Sequence, residues 1–202
     1  MTIWNELKEA LHTRKKVTLT LVALNILVFL ILELTGSTQS TGFMLEHGAC
    51  YAPYVAQGEY YRLLSSMFLH FSITHLVYNM ICLYSMGDML ERLAGSGRFA
   101  VIYLAGGLAG NLASVLWESH TGVYAVSAGA SGAVFAVIGA LLYLAVRPGS
   151  RFNPAFTKRL AVVTVLMIAQ GFIESGTDNA AHIGGVAAGF VLCAVLTVFG
   201  KR

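Results

Sequence analysis

The chain has 202 residues, 56% of them hydrophobic and 11% charged, with a mean hydropathy of +0.70. That composition lies far outside the range of soluble domains and identifies a membrane protein. The formal net charge of +3 reads as an orientation signal for the bilayer, and no nucleic-acid partner follows from it.

Residues 1–16 place Ile3, Trp4, Leu7 and Leu11 at helical spacing, with Lys8, Arg14 and Lys15 elsewhere around the turn. The pattern predicts a short cytoplasmic helix lying on the inner leaflet. A bilayer takes about 20 apolar residues to cross, and the first such run is Val17 to Leu34. It is long for a signal sequence and no Ala-x-Ala follows it, so it is expected to be retained. The connection over about 35–72 is too long for a simple turn between helices. Its Phe43, Met44, Tyr51, Tyr54, Tyr60 and Tyr61 predict a loop that folds back into the membrane interface. A broken span covers roughly Ile73 to Met89, interrupted by His75, Asn79 and Asp88. Further spans are predicted at Phe99 to Trp117, Ala125 to Val146, Leu160 to Ile173 and Ala180 to Phe199, before a tail at 200–202.

Positive charge collects on cytoplasmic loops. With six spans, twelve of the thirteen Lys and Arg residues fall on one side, Arg62 being the exception. The sequence therefore predicts an all-α membrane protein, with six transmembrane helices in one domain over 17–199 and both termini cytoplasmic. Cys50, Cys82 and Cys193 are odd in number and lack CxxC spacing, so neither a disulfide framework nor a metal knuckle is indicated. No cofactor is implied.

Polar residues inside spans are costly and mark function. On this topology Ser131 lies six residues into span four, roughly 9 Å deep at about 1.5 Å per residue. His182 sits in the first turns of span six. His75 and Asn79, four residues apart and on one helical face, share that layer. A serine beside a proton-accepting histidine makes a nucleophile for carbonyl attack. Asn79, His75 and the Ser131 N–H at a helix N-terminus supply donors for the oxyanion that develops. No Asp or Glu lies in the outer half of a span, so a dyad is expected, with Asp178 facing outer solvent.

At GASG (129–132) and AHIGGVAAG (181–189), with Tyr61-Arg62, HLVYN (75–79), Glu91-Arg92 and Gly95-Ser96-Gly97, the sequence resembles the rhomboid intramembrane serine proteases. The likeness runs from about Glu59 to Gly189. It implies a rhomboid-like bundle in which Ser131 is the nucleophile and His182 the general base, with Asn79 and His75 in the oxyanion hole. Gly129 and Gly132 would allow close approach around the serine, and Gly185 and Gly189 would pack span six against span four. Phe135 stands where rhomboids often carry tyrosine, and can stack on the imidazole without offering a hydroxyl. Tyr61 stands where tryptophan is common.

The resemblance further implies cleavage of transmembrane segments of other proteins near their outer end, after a small residue and in a helix that unwinds readily. Entry would be sideways near spans two and five, with the outer loop and the Glu174 to Asn179 turn as movable walls. The competing reading is an inactive rhomboid-like scaffold or chaperone that binds client transmembrane helices. A transporter is disfavoured, because the inner halves of spans four and six lack a polar path. Metalloprotease and aspartyl chemistry are disfavoured because HExxH is missing and Asp88 and Asp178 lie at opposite faces. Six spans predict a bacterial plasma membrane. The sequence leaves the oligomeric state open.

Overall fold

The computed structural model describes residues 16–173 and 176–199, with side chains through Thr197. The predicted segment at 1–15, the tail at 200–202, and Glu174 and Ser175 lie outside the described residues. Helix α1 (Lys16–Thr35) leads into a loop carrying α2 (Thr41–Glu46), α3 (Ala52–Ala56) and α4 (Arg62–Ser65), the last continued by a tight turn over Ser66–Phe68. Helix α5 (Ile73–Cys82) passes through a widened turn at Leu83–Gly87 into α6 (Asp88–Ala94). Helices α7 (Ser96–Thr121), α8 (Ser131–Val146), α9 (Pro154–Gly171) and α10 (Asn179–Phe199) follow. Among the described residues every regular element is helical.

Local chemistry sets several of these ends. The Ser40, Ser72 and Asn153 side chains accept the N–H of Phe43, His75 and Phe156 at the starts of α2, α5 and α9, as N-caps do. Gly122 stops α7 in the left-handed region at φ +72°. By length and composition α1, α7 and α10 can each cross a membrane. Arg62–Phe68 and Ile73–Ala94, bent by 93°, form a fourth candidate, and α8 is a shorter apolar helix. This is a multi-pass membrane protein.

The long loop carries three short helices and a tight turn and is held by Arg62, which is 5% exposed. One guanidinium nitrogen of Arg62 donates to the Leu45 and Ala49 carbonyls at 2.7 and 3.0 Å, and its Nε donates to Glu59 at 2.7 Å. Arg62, then the Tyr61 hydroxyl, hold the Glu59 carboxyl below the usual value of 4.5. The Glu59 contribution is therefore present at neutral pH, and it is lost only as pH falls below 4.5 and through that lowered value.

Span four differs from the expectation, because 125–130 lie outside the helix, which begins only at Ser131 with Ala130 as its N-cap. The segment finds its backbone partners elsewhere. Cys50 and Ser127 exchange both N–H···O bonds at 2.8 and 2.9 Å, and Gly129 N–H donates to the Ser66 carbonyl at 2.9 Å. Ser131 is thus the first helical residue, and helical rise cannot give its depth.

The core centres on α8, where twelve of 16 residues are buried. Helix α9 buries only Leu160, Thr164 and Gly171 of its 18. At the far end, fully buried Glu91 ties α1 to the α6–α7 corner. Its carboxylate accepts from Val17 N (3.2 Å), Thr18 N (2.8 Å), the Thr18 hydroxyl (2.7 Å) and the Ser96 hydroxyl (2.7 Å). The first-turn amides of a helix lack intrahelical acceptors, so this carboxylate both caps α1 and escapes the cost of burial unpaired. Glu91→Ala should lower stability by roughly 3 kcal/mol, since hydrogen bonds to a charged group are worth about 1.5–3 kcal/mol each. Thermal unfolding in detergent measures it, and Glu91→Gln, which keeps the volume and one acceptor oxygen, should cost less.

Candidate active site

Ser131 opens α8, so its backbone N–H is one of the donors that the helix leaves free. His182 is the fourth residue of α10 and is 8% exposed. The Ser131 hydroxyl oxygen lies 2.9 Å from His182 Nε2, a hydrogen-bond distance. The Phe135 ring, one turn further along α8, stacks on the imidazole at 4.2 Å and 25°. His182 Nδ1 is buried without a hydrogen-bond partner among the described residues. Among the described residues no carboxylate hydrogen-bonds that nitrogen.

Glycines set the helix separation. A Cβ on Gly189 would fall 1.8 Å from the Ala136 carbonyl oxygen, and one on Gly185 would fall 2.3 Å from that of Gly132. Helix α8 also bears Gly139, whose Cβ would meet the Val186 carbonyl at 2.1 Å. Helix α7 closes the third side. A Cβ on Gly106 would strike Ala136 Cβ at 2.4 Å, and one on Gly110 the Ala181 carbonyl at 2.7 Å. A methyl added at Gly139, Gly185 or Gly189 must push two backbones apart.

The remaining predicted residues are placed unevenly. The His75 ring lies over Gly129, where a Cβ would fall 2.7 Å from Cε1. Gly129 also has φ +148°, so a side chain there meets both strain and a ring. Asn79 is buried, but its amide nitrogen donates to the carbonyl of His75, on its own helix, at 2.9 Å. Gly132 is buried under α10.

Asp178, expected to face solvent, is half-buried and also bonds within the protein. One carboxylate oxygen accepts the Ser114 hydroxyl at 2.6 Å and the other accepts Ala181 N–H at 2.9 Å. It caps α10 and pins that end to α7, which fixes the rotation that aims His182. The sequence reading also passed over His70, Asn111 and Ser114. Fully buried His70 accepts the Ala130 N–H at Nε2 (3.4 Å). Asn111 donates to the Leu63 carbonyl (2.8 Å) and the Ser66 hydroxyl (3.0 Å). The signal for Asn111 and Ser114 was present, as polar residues within an apolar span. His70 lies in a loop, where a histidine carries no such signal.

Residues 57–199 match the Rhomboid domain. The chain belongs to the rhomboid family. It is 40% identical over 186 residues to Rhomboid protease GluP of Bacillus subtilis (strain 168), an overlap of 90% of this chain and 36% of that protein. Putative rhomboid protease YdcA of the same organism is 30% identical over 138 residues, 68% of each chain. RHOMBOID-like protein 5 of Arabidopsis thaliana is 38% identical over 151 residues, 74% of this chain and 48% of that protein. This rhomboid chain thus spans about a third of the length of GluP and about half that of RHOMBOID-like protein 5.

Two substitutions test the seam. Gly189→Val should destabilise by at least about 1–3 kcal/mol, the usual cost of overpacking, whereas Gly97→Ala, with nothing within 4 Å of the new methyl, should stay within about 1 kcal/mol of wild type. Ser114→Ala should cost about 1–3 kcal/mol by leaving a charged acceptor short of its donor. Thermal midpoints of the purified variants decide each.

Proposed function

We propose that this rhomboid chain is an intramembrane serine endopeptidase that cuts transmembrane segments of other membrane proteins near their outer end. The observation that carries the reading is the 2.9 Å separation of the Ser131 hydroxyl and His182 Nε2, held by packing that admits no larger residue at Gly185 or Gly189. Its topology is six spans within a domain over 17–199, with both termini cytoplasmic in a bacterial plasma membrane. The one-sided distribution of Lys and Arg supports this.

In the reaction His182 Nε2 takes the Ser131 proton as the oxygen bonds the substrate carbonyl carbon. The carbonyl oxygen becomes an oxyanion near the free Ser131 N–H and the positive end of α8. His75, over Gly129, flanks that position. Asn79 contributes once its amide turns away from the His75 carbonyl. The C–N bond then breaks as His182 returns the proton to the leaving amine, giving an acyl-enzyme. Water, deprotonated by His182, releases the acid product and restores Ser131. The face of Phe135 fixes the plane of the imidazole for both transfers.

A helical peptide bond is shielded by its own hydrogen bonds, so substrate must unwind before Ser131 can reach it. This is the physical root of a preference for helix-destabilising residues. Entry between α5 and α9 is favoured by how little of α9 is buried, because an element with few packed contacts opens at low cost.

A fluorophosphonate should modify this chain at Ser131, located by mass spectrometry of the adduct. Cleavage of a tethered transmembrane substrate should fall on the order of 10⁴-fold or more in Ser131→Ala and His182→Ala, and persist in Cys82→Ala. Uncut substrate that co-purifies with unlabelled wild type would instead establish a scaffold.

A further inference from the structure

At the end of α8 remote from Ser131 the chain leaves the helix through Arg147 and turns at once. Ser150 N–H donates to the Arg147 carbonyl at 3.1 Å, closing a four-residue turn over Pro148 and Gly149, the latter at φ +75°. The turn suits its residues, because the proline ring fixes one φ and glycine adopts the other without strain. Phe152 N–H then donates to the Ser150 hydroxyl at 3.2 Å, and the Phe152 ring stacks on Phe156 at 4.7 Å. The result is a cavity of about 230 Å³ lined by Leu93, Leu144, Arg147, Arg151 and Phe152.

Its chemistry is divided. Two arginines, Arg147 and the exposed Arg151, line one small space, and the ion pairs among the described residues, Arg62–Glu59 and Arg92–Asp88, involve neither. From Gly139 to Ile173 the sequence holds no Asp or Glu. Arg147 Nε is buried without a hydrogen-bond partner among the described residues. A buried donor without an acceptor is costly, and like charges facing one space repel. One anion accepting from both arginines relieves both penalties. The other three lining residues are apolar, which suits an amphiphile and gives a free anion nothing. The volume is below the roughly 300–1,000 Å³ of sites that enclose a whole ligand. It suits a headgroup whose chains run out along the exposed flank of Leu93 and Val146, which are 49% and 57% exposed.

We infer that this cavity binds the phosphate of an anionic phospholipid from the leaflet opposite Ser131, with Arg147 and Arg151 on the phosphate and Leu93, Leu144 and Phe152 against the glycerol and upper chains. Basic pockets between transmembrane helices bind such headgroups by these means. The site is independent of proteolysis, so its test reads lipid mass and leaves the enzymatic reading untouched.

Full-length protein is reconstituted with equal phosphatidylglycerol and phosphatidylcholine, extracted gently and weighed by native mass spectrometry. Wild type should retain the anionic lipid about tenfold or more over the zwitterionic one, and Arg147→Gln/Arg151→Gln should bring the ratio near one. Lys158→Gln/Arg159→Gln, with equal charge loss outside the cavity, should keep the wild-type ratio. Leu93→Trp, which fills the space with both charges in place, should lose it. Millimolar inorganic phosphate should not displace the lipid. Equal loss in the two double variants would reduce the effect to bulk charge and overturn the site. Retention in Leu93→Trp would overturn it too, and displacement by phosphate would make it a site for a free anion.

Discussion

The distance between the α8 and α10 backbones governs this molecule. The carbonyl oxygens of Gly132 and Ala136 occupy the space that Cβ atoms would need on Gly185 and Gly189. Only at that separation do a hydroxyl at the first residue of α8 and an imidazole in the first turn of α10 come within 2.9 Å. Within lipid the hydrophobic effect does not drive helices together, so packing and hydrogen bonds must. Small residues let backbones touch, and each contact then gains dispersion attraction over the whole seam. Helix α7 presses its own glycines, Gly106 and Gly110, into the same seam, so three helices share one line of close approach.

Polar clamps complete what packing begins. Glu91 binds α1 to the α6–α7 corner, Arg62 gathers the loop that carries α2 to α4, and Asn111 ties α7 to that loop. Asp178 joins α7 to the start of α10. Each is a buried or half-buried group whose donors or acceptors are satisfied by a different element, so each acts as a joint and not as local decoration. Helix α9, with three buried residues, has no comparable joint among the described residues. The bundle therefore has a rigid side that holds Ser131 and His182 and a loosely held side.

Much of this was legible beforehand. Apolar runs of bilayer length and the sidedness of Lys and Arg follow from solvation alone, and they need no tertiary contact to be read. Gly185 and Gly189, at four-residue spacing, suit a close partner helix, polar residues among such glycines demand a reason, and the resemblance of the GASG and AHIGGVAAG stretches to rhomboids implied that the two pair. Span four was misread at its start. Ala125 to Ala130 are apolar enough for a helix, yet Cys50, Ser66 and His70, all distant in sequence, supply partners outside any helix for their backbone N–H groups. The apolar loop was likewise read only as interfacial, because helices of four to six residues leave too weak a period to detect.

By itself, then, the sequence determined that the chain is a membrane protein, which residues are too polar to sit idle in an apolar helix, and which glycines must face another backbone. These properties belong to single residues and their nearest neighbours along the chain. Only the tertiary structure decided that Asp178 turns inward to Ser114, that Asn79 spends its amide on its own helix, and that Arg147 and Arg151 share one cavity. Hydrogen bonds between distant segments fix such choices, and their partners are set by how the helices rotate and approach, which no local pattern encodes.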